Sequence, residues 1–151
     1  MKQIPAPLWK RFLAYIIDIL IIGLFIETSF IGISKMAFGD FSEKSLSEAL
    51  KLSLTPQNYY LLAVIGISIA ILSLLYWSIL EYKLGQSIGK MIFRIYTVSE
   101  KKKLTFLQAL IRNAAKTSSL LLILDALALF RYPYYKRFTE KWSQTQVIQK
   151  I

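Results

Sequence analysis

Three apolar runs separated by polar stretches set the pattern of this chain. The first, Arg11–Ile33, reads RFLAYIIDILIIGLFIETSFIGI. About 20 such residues at ~1.5 Å each cover a hydrocarbon core of ~30 Å. The second, Leu61–Leu80, contains no charged residue. Tyr59 and Tyr60 precede it, and Tyr76, Trp77 and Tyr82 mark its other end, as membrane interfaces prefer. The third, Leu107–Phe130, carries Arg112, Asn113 and Lys116 in its first turns. Only Leu120–Phe130 is strongly apolar, and it contains Asp125. The pattern predicts an all-α membrane protein, a bundle of about three hydrophobic helices forming one domain over residues 1–151.

The polar stretches add detail. Pro5 and Pro7 keep residues 1–10 extended, and Trp9, Lys10 and Arg11 form an interfacial anchor. Residues 34–59 make a loop with balanced charges. Ser45 and Glu48 stand at capping-box spacing, predicting a short amphipathic helix over Ser45–Leu52. Thr55-Pro56 suits the start of the second apolar helix. Gly66 and Ala70 share a face that would admit another helix closely. Met91–Val98, MIFRIYTV, is β-branched and aromatic and predicts a strand, closed by a turn at Ser99–Lys103. Pro133 ends the third helix, and Thr145–Ile148 predicts a last strand able to pair with Met91–Val98.

Charge decides orientation. Net charge is +10, from 19 Lys and Arg against 9 Asp and Glu, and hydrophobic residues are 55%. Mean hydropathy is +0.46. The cations flank the apolar runs, which points to anionic headgroups rather than nucleic acid. The positive-inside rule places the N-terminus and the basic stretch Glu81–Phe106 in the cytoplasm and residues 34–59 outside. Three full crossings would put the basic tail outside, against the same rule. The third segment is therefore expected to be re-entrant, interfacial or broken, with the C-terminus cytoplasmic beside a small β element. The opening Met-Lys and first apolar run resemble a secretory signal, but Asp18, the length and the lack of a small-x-small site argue that it is retained in a multi-pass protein of the cell membrane.

Asp18 is the main candidate residue. A carboxylate at mid-membrane is disfavoured by roughly 2.5–3.5 kcal/mol on insertion scales, so it should face other helices or water. Arg11, seven residues earlier, shares its helix face about 10 Å away, too far for direct contact. Two readings stay open: a cation or proton site, or a buried ion pair with Arg112 or Arg94 that docks helices. Arg11 itself reads as a lipid-facing snorkel, and Glu27, on the opposite face from Asp18, as partly hydrated. Gly85–Lys90, GQSIGK, has the wrong glycine spacing for a phosphate loop, and Met91 stands where Ser or Thr should hold magnesium. Its glycines read as a turn. There is no Cys and no His, hence no disulfide, thiolate site or imidazole base. No acidic pair or nucleophile elbow suggests an enzyme, and no metal or cofactor is expected.

Four stretches resemble the RDD family of small membrane proteins, named for one Arg and two Asp. PLWKRFLAYIIDILII resembles its first helix, with Arg11 and Asp18 in place. LGQSIGKMIFRIYTV resembles its Gly-x-Thr-x-Gly-Lys motif running into a strand, with Gly85, Gly89 and Lys90 matched and Ser87 for Thr. LQALIRNAAK is similar to its Arg-Asn segment, with Arg112. KRFTEKWSQTQVI resembles its closing pattern, with Glu140 where the second Asp is usual and Asp125 upstream as the other candidate. The resemblance implies a multi-pass protein, and transport has been suggested for the family. It leaves two expectations: a transport-related protein, working as an oligomer, in which Asp18 handles a cation or proton, or a non-transporting anchor or assembly partner stapled by ion pairs.

Overall fold

The computed structural model describes residues 3–38, 55–101, 103–131 and 136–150. The expected helix at Ser45–Leu52 and the helix stop at Pro133 lie outside the described residues. The first apolar run forms α1, Leu8–Ile22, a π-type turn at Gly23–Glu27, and α2, Thr28–Phe38. Thr28 and Ser29 hydroxyls bond back to the Leu24 and Phe25 carbonyls beside this turn, the back-bonding that loosens a helix ladder. The second run forms α3, Pro56–Leu84. Thr55 is extended and Pro56 takes the first position, where its missing N–H costs nothing. This helix runs through the expected end at Leu80, carrying Glu81 within it.

Burial is inverted relative to a water-soluble domain. Phe12, Leu20, Leu24, Phe25, Val64 and Ile67 are exposed, whereas Asp18, Ser78, Glu81, Arg112, Asn113 and Glu140 are buried. The stretches Leu8–Lys35 and Asn58–Leu84 are long and apolar enough to cross a membrane, with only 11% and 17% of their most apolar windows buried. The core helix of a soluble protein would be mostly covered. Here the apolar surface faces outward, as a lipid solvent favours, and the polar groups find partners inside.

α3 ends at Gly85, whose φ of 71° is a left-handed cap that glycine adopts without strain. A short helix α4, Ile88–Ile92, and strand β2, Ile95–Ser99, follow. Met91–Val98 is thus not one strand: Met91 and Ile92 belong to the helix, and Arg94 turns the chain with φ 54°. The α4 turn forms because Asp18 accepts the Gly89 N–H at 2.8 Å, a tertiary bond no local propensity encodes. Gly89 lies against the backbone of α1. A Cβ there would stand 2.0 Å from the Ala14 carbonyl oxygen.

The third apolar run is broken, as its charges suggested. α5 spans Phe106–Ala114, opened by a reciprocal Thr105–Gln108 capping box. A 3-10 turn, Ala115–Thr117, and extended Ser118 separate it from α6, Ser119–Arg131. A five-residue helix α7, Phe138–Trp142, leads into β3, Thr145–Lys150. β3 is central in a three-stranded antiparallel sheet, between β2 and β1, Gln3–Pro5. Ser99 pairs with Thr145 and Ile95 with Gln149. β2–β3 pairing was expected; β1 was not, because Pro5 reads as a strand breaker. It is tolerated because β1 is an edge strand. Among the described residues no helix makes the expected close contact at Gly66, where a Cβ would meet nothing within 4 Å.

The α1–α4 contact gives the first prediction. Gly89→Ala should destabilise the chain by about 1–3 kcal/mol or more through overpacking. Gly32→Ala, where a Cβ meets nothing, should be neutral or slightly stabilising. Thermal unfolding in detergent checks the contrast, and equal melting temperatures would refute it.

Candidate functional site

Arg112 lies on the buried side of α5 with 0% of its side chain exposed, between two carboxylates. Its Nε is 2.8 Å from Glu81 Oε2 at the end of α3, and its Nη2 is 3.5 Å from Glu140 Oε1 on α7. Nη1 donates to Thr145 Oγ1 on β3 at 3.3 Å. One guanidinium therefore ties four elements. Nε and Nη2 have no aligned hydrogen-bond acceptor despite the nearby carboxylates, so those two contacts are chiefly Coulombic.

Each carboxylate has further partners. Glu81 accepts from Lys90 Nζ at 2.5 Å and Asn113 Nδ2 at 3.0 Å, with Lys116 Nζ 3.8 Å away. Glu140 pairs with Arg11 at 3.3 Å and Arg137 at 3.4 Å, and accepts the Arg137 backbone N–H. Burial alone would raise the Glu140 pKa; Arg137, then Arg112 and Arg11, overcome it and hold the carboxyl well below the usual 4.5. Burial first and Arg112 second push the Lys90 ammonium down to about 8 against the pull of Glu81.

Asp18 behaves differently. It accepts from Ser87 Oγ at 2.5 Å, Gly89 N at 2.8 Å and Tyr76 Oη at 3.2 Å. Neither Arg112 nor Arg94 is its partner: Arg112 is held by Glu81 and Glu140, and Arg94 is exposed in a turn. The ion-pair expectation for Asp18 is corrected to a neutral hydrogen-bond cage. Arg11 is likewise no lipid-facing snorkel. It donates to the Ala6 and Val147 carbonyls at 3.1 and 3.0 Å as well as to Glu140. The sheet edge at the start of α1 draws it inward. Glu27 lies exposed in the π-type turn of the first apolar run.

Asp125 on α6 accepts from Thr139 N and Oγ1, both at 2.8 Å, and lies 3.4 Å from Arg137. This matches the Asp18 arrangement. In each case a carboxylate on an apolar helix accepts the backbone N–H at the second position of a five-residue helix and a nearby hydroxyl. Each short helix is followed by a positive-φ residue, Arg94 at 54° or Gln144 at 52°, and then a strand. The two units, Ser87–Ser99 and Arg137–Gln149, are offset by 50 residues. The equivalent positions Thr97 and Val147 face each other in the sheet, which places a local two-fold axis between β2 and β3.

A cavity of about 420 Å³ opens beside the cluster. α1 supplies Arg11, Phe12, Tyr15 and Asp18 to its wall; α6 supplies Leu122, Ile123 and Ala126. Lys90, Arg112, Lys116, Arg137 and Glu140 complete the charged side. Among the described residues no group of acids is placed to hold a metal ion. Lys90 of the GQSIGK stretch already serves Glu81 and Thr97 Oγ1.

A family model described as the RDD family matches residues 5–139. The chain belongs to the RDD family. No curated protein and no solved structure gives a significant match. With the outward apolar surface of α1 and α3, membership makes this a membrane protein. The match ends one residue before Glu140.

The structure thus joins Arg11, Arg112 and Glu140 in one cluster and links Asp125 to it through Arg137. Asp18 reaches the same cavity without pairing to a cation of the cluster. Gly85 caps α3 and Gly89 admits α1. Glu81, Asn113 and Arg137 were missed as site residues of this RDD protein. Glu81 offered one signal: it is the acid closing the long uncharged run before a basic stretch.

Removing Arg112 would take from Glu81 its 2.8 Å guanidinium contact and from Glu140 one of its three arginines, and would leave the bridge between the two buried acids broken. Arg112→Met should cost about 3–5 kcal/mol, the range for breaking a buried pair from one side, measured by unfolding in detergent. A loss under 1 kcal/mol would show that Arg112 is dispensable. Because the Glu140 pKa is depressed in the fold, its ionised form contributes stability above the unfolded value of 4.5, and this is lost as pH falls below it. Melting temperature should fall as pH drops from about 5 toward 2, and Glu140→Gln should flatten that fall. An equally steep fall in the variant would show that Glu140 is not responsible.

Proposed function

We propose that this chain is a non-transporting anchor or assembly partner in the membrane, with its buried charges acting as structural staples. The observation that carries the reading is the Asp18 cage. Three neutral donors, from α3, the residue preceding α4 and α4 itself, converge on the carboxylate, which suits a fixed helix-docking role. The Arg112 bridge between Glu81 and Glu140 supports the same role. A second reading, cation or proton handling at Asp18 in an oligomer, is favoured by one observation: Asp18 lines the cavity beside α1 and α6.

The topology belongs to this proposal. β1, β2 and β3 share one sheet, so two crossings, α1–α2 and α3, would leave both termini on one side of a cell membrane. The basic charge of these stretches makes that side cytoplasmic, with α6 lying along or partly into the membrane.

One reconstitution tests both. Wild-type vesicles should show no sodium-, potassium- or proton-coupled pH change. Asp18→Asn should lower the melting temperature, since an amide N–H₂ facing three donors leaves buried groups unpaired at about 1–3 kcal/mol. Membrane-impermeant thiol labels should reach Glu100→Cys and Trp142→Cys from one side and Thr55→Cys from the other. A wild-type flux abolished by Asp18→Asn at unchanged melting temperature would overturn the staple reading. Opposite labelling of Glu100→Cys and Trp142→Cys would overturn the topology.

A further inference from the structure

The cavity between α1 and α6 has an imbalance of charge among the described residues. Arg11, Lys90, Arg112, Lys116 and Arg137 place five cationic groups around it. The carboxylates paired to them are Glu81, Glu140 and Asp125, three in number. Counting Asp18, caged by neutral donors, makes four. With every group ionised, five less four leaves one positive charge among the described residues. An uncompensated charge away from water is costly, and a bound anion would relieve it.

Two of these cations have unused donors. Lys116 is 5% exposed, and its ammonium makes only a 3.8 Å contact with Glu81 and a 4.6 Å approach to the Trp77 ring centroid, with no hydrogen bond among the described residues. Three N–H donors are available on such a group. Arg112 Nε and Nη2 are buried without an aligned acceptor. Burial first, and then the neighbouring Lys90, Arg137 and Arg112, drive the Lys116 pKa well below its ordinary value against Glu81.

The opposite wall is apolar. Phe12 is 64% exposed and Ile123 59% exposed, and Leu122 stands beside them in the lining. Phe12 lies in the second turn of the first membrane-length stretch, near the depth where headgroups meet acyl chains. The volume, about 420 Å³, is within the ~300–1,000 Å³ of small-molecule sites. A ligand matching both walls carries one negative charge, several acceptor oxygens and an aliphatic tail.

We propose that this cavity binds one anionic phospholipid, with its phosphate among Lys116, Arg112 and Arg137 and an acyl chain along Phe12, Leu122 and Ile123. The phosphodiester supplies a single negative charge with oxygens that suit guanidinium and ammonium donors. The chemistry is shared with free phosphate, but the apolar wall is useful only to a lipid. Lys116 is the most informative residue, because its contacts within the chain are its weakest justification for being buried.

The test uses the full chain in detergent with defined lipids, read by native mass spectrometry and by melting temperature. Wild type should retain one phosphatidylglycerol in preference to phosphatidylcholine and be stabilised by it. Lys116→Gln should keep its lipid-free fold and lower phosphatidylglycerol retention on the order of tenfold, as expected for one hydrogen bond to a charged group. Ile123→Trp, which fills the apolar wall, should also lose the lipid while still responding to inorganic phosphate. Equal retention of the two lipids by wild type, or unchanged retention in Lys116→Gln, would overturn the site. Stabilisation by inorganic phosphate alone, unaffected by Ile123→Trp and with none from phosphatidylglycerol, would make the occupant a free anion and overturn the lipid assignment.

Discussion

The fold depends on Arg112 being shared between Glu81 and Glu140. Those carboxylates come from the end of a long apolar helix and from a five-residue helix near the C-terminus, and neither could be buried without a cation between them. Arginine suits the position because its planar fork reaches several partners at once and stays charged. Lys90, Arg11 and Arg137 then fill the remaining directions around the two acids. Such a network is weak evidence for net stability, since desolvation opposes the attraction. Its bearing is on how the helices dock, because a different docking of α3, α5 and α7 would separate these pairs.

The surrounding solvent explains why charges occupy the place that leucine and phenylalanine take in a soluble domain. Lipid leaves little drive to bury apolar side chains between helices, so packing and polar contacts decide association. Ala14 and Gly89 let α1 and α4 touch at backbone distance, and Asp18 fixes that contact with three donors. The apolar residues left outside are those the bilayer accepts. Function, on the reading advanced above, follows from this division: a stapled polar interior, an apolar exterior, and one cavity where the two meet.

Part of this was legible in the chain of letters. The membrane class followed from Arg11–Ile33 and Leu61–Leu80, whose length and composition suffice. The broken third segment followed from Arg112, Asn113 and Lys116, which a continuous span would have had to immerse. β2–β3 pairing followed from two β-branched stretches of opposite location. β1 was hidden because a three-residue edge strand with Pro5 has no period to detect, and the helical start of Met91–Val98, Met91 and Ile92, because its cause is a bond from Asp18 to Gly89, 71 residues away. The 50-residue structural repeat was hidden for a different reason. It repeats backbone angles and the capping of an N–H by an aspartate, while Lys90 in one copy is replaced by Glu140 in the other, so composition conceals it.

The sequence alone determined which stretches lie in oil and which carry charge, because transfer free energy is a sum over residues and needs no partner. It also marked Asp18 and Arg112 as groups that had to be satisfied. Only the tertiary structure decided by whom: Asp18 by hydroxyls and a peptide N–H rather than by arginine, Arg11 by backbone carbonyls and Glu140 rather than by lipid, and Arg112 by Glu81 and Glu140, acids from two distant elements. Partner choice is a matter of distance and direction across elements far apart in the chain, and those become fixed only when the helices have docked.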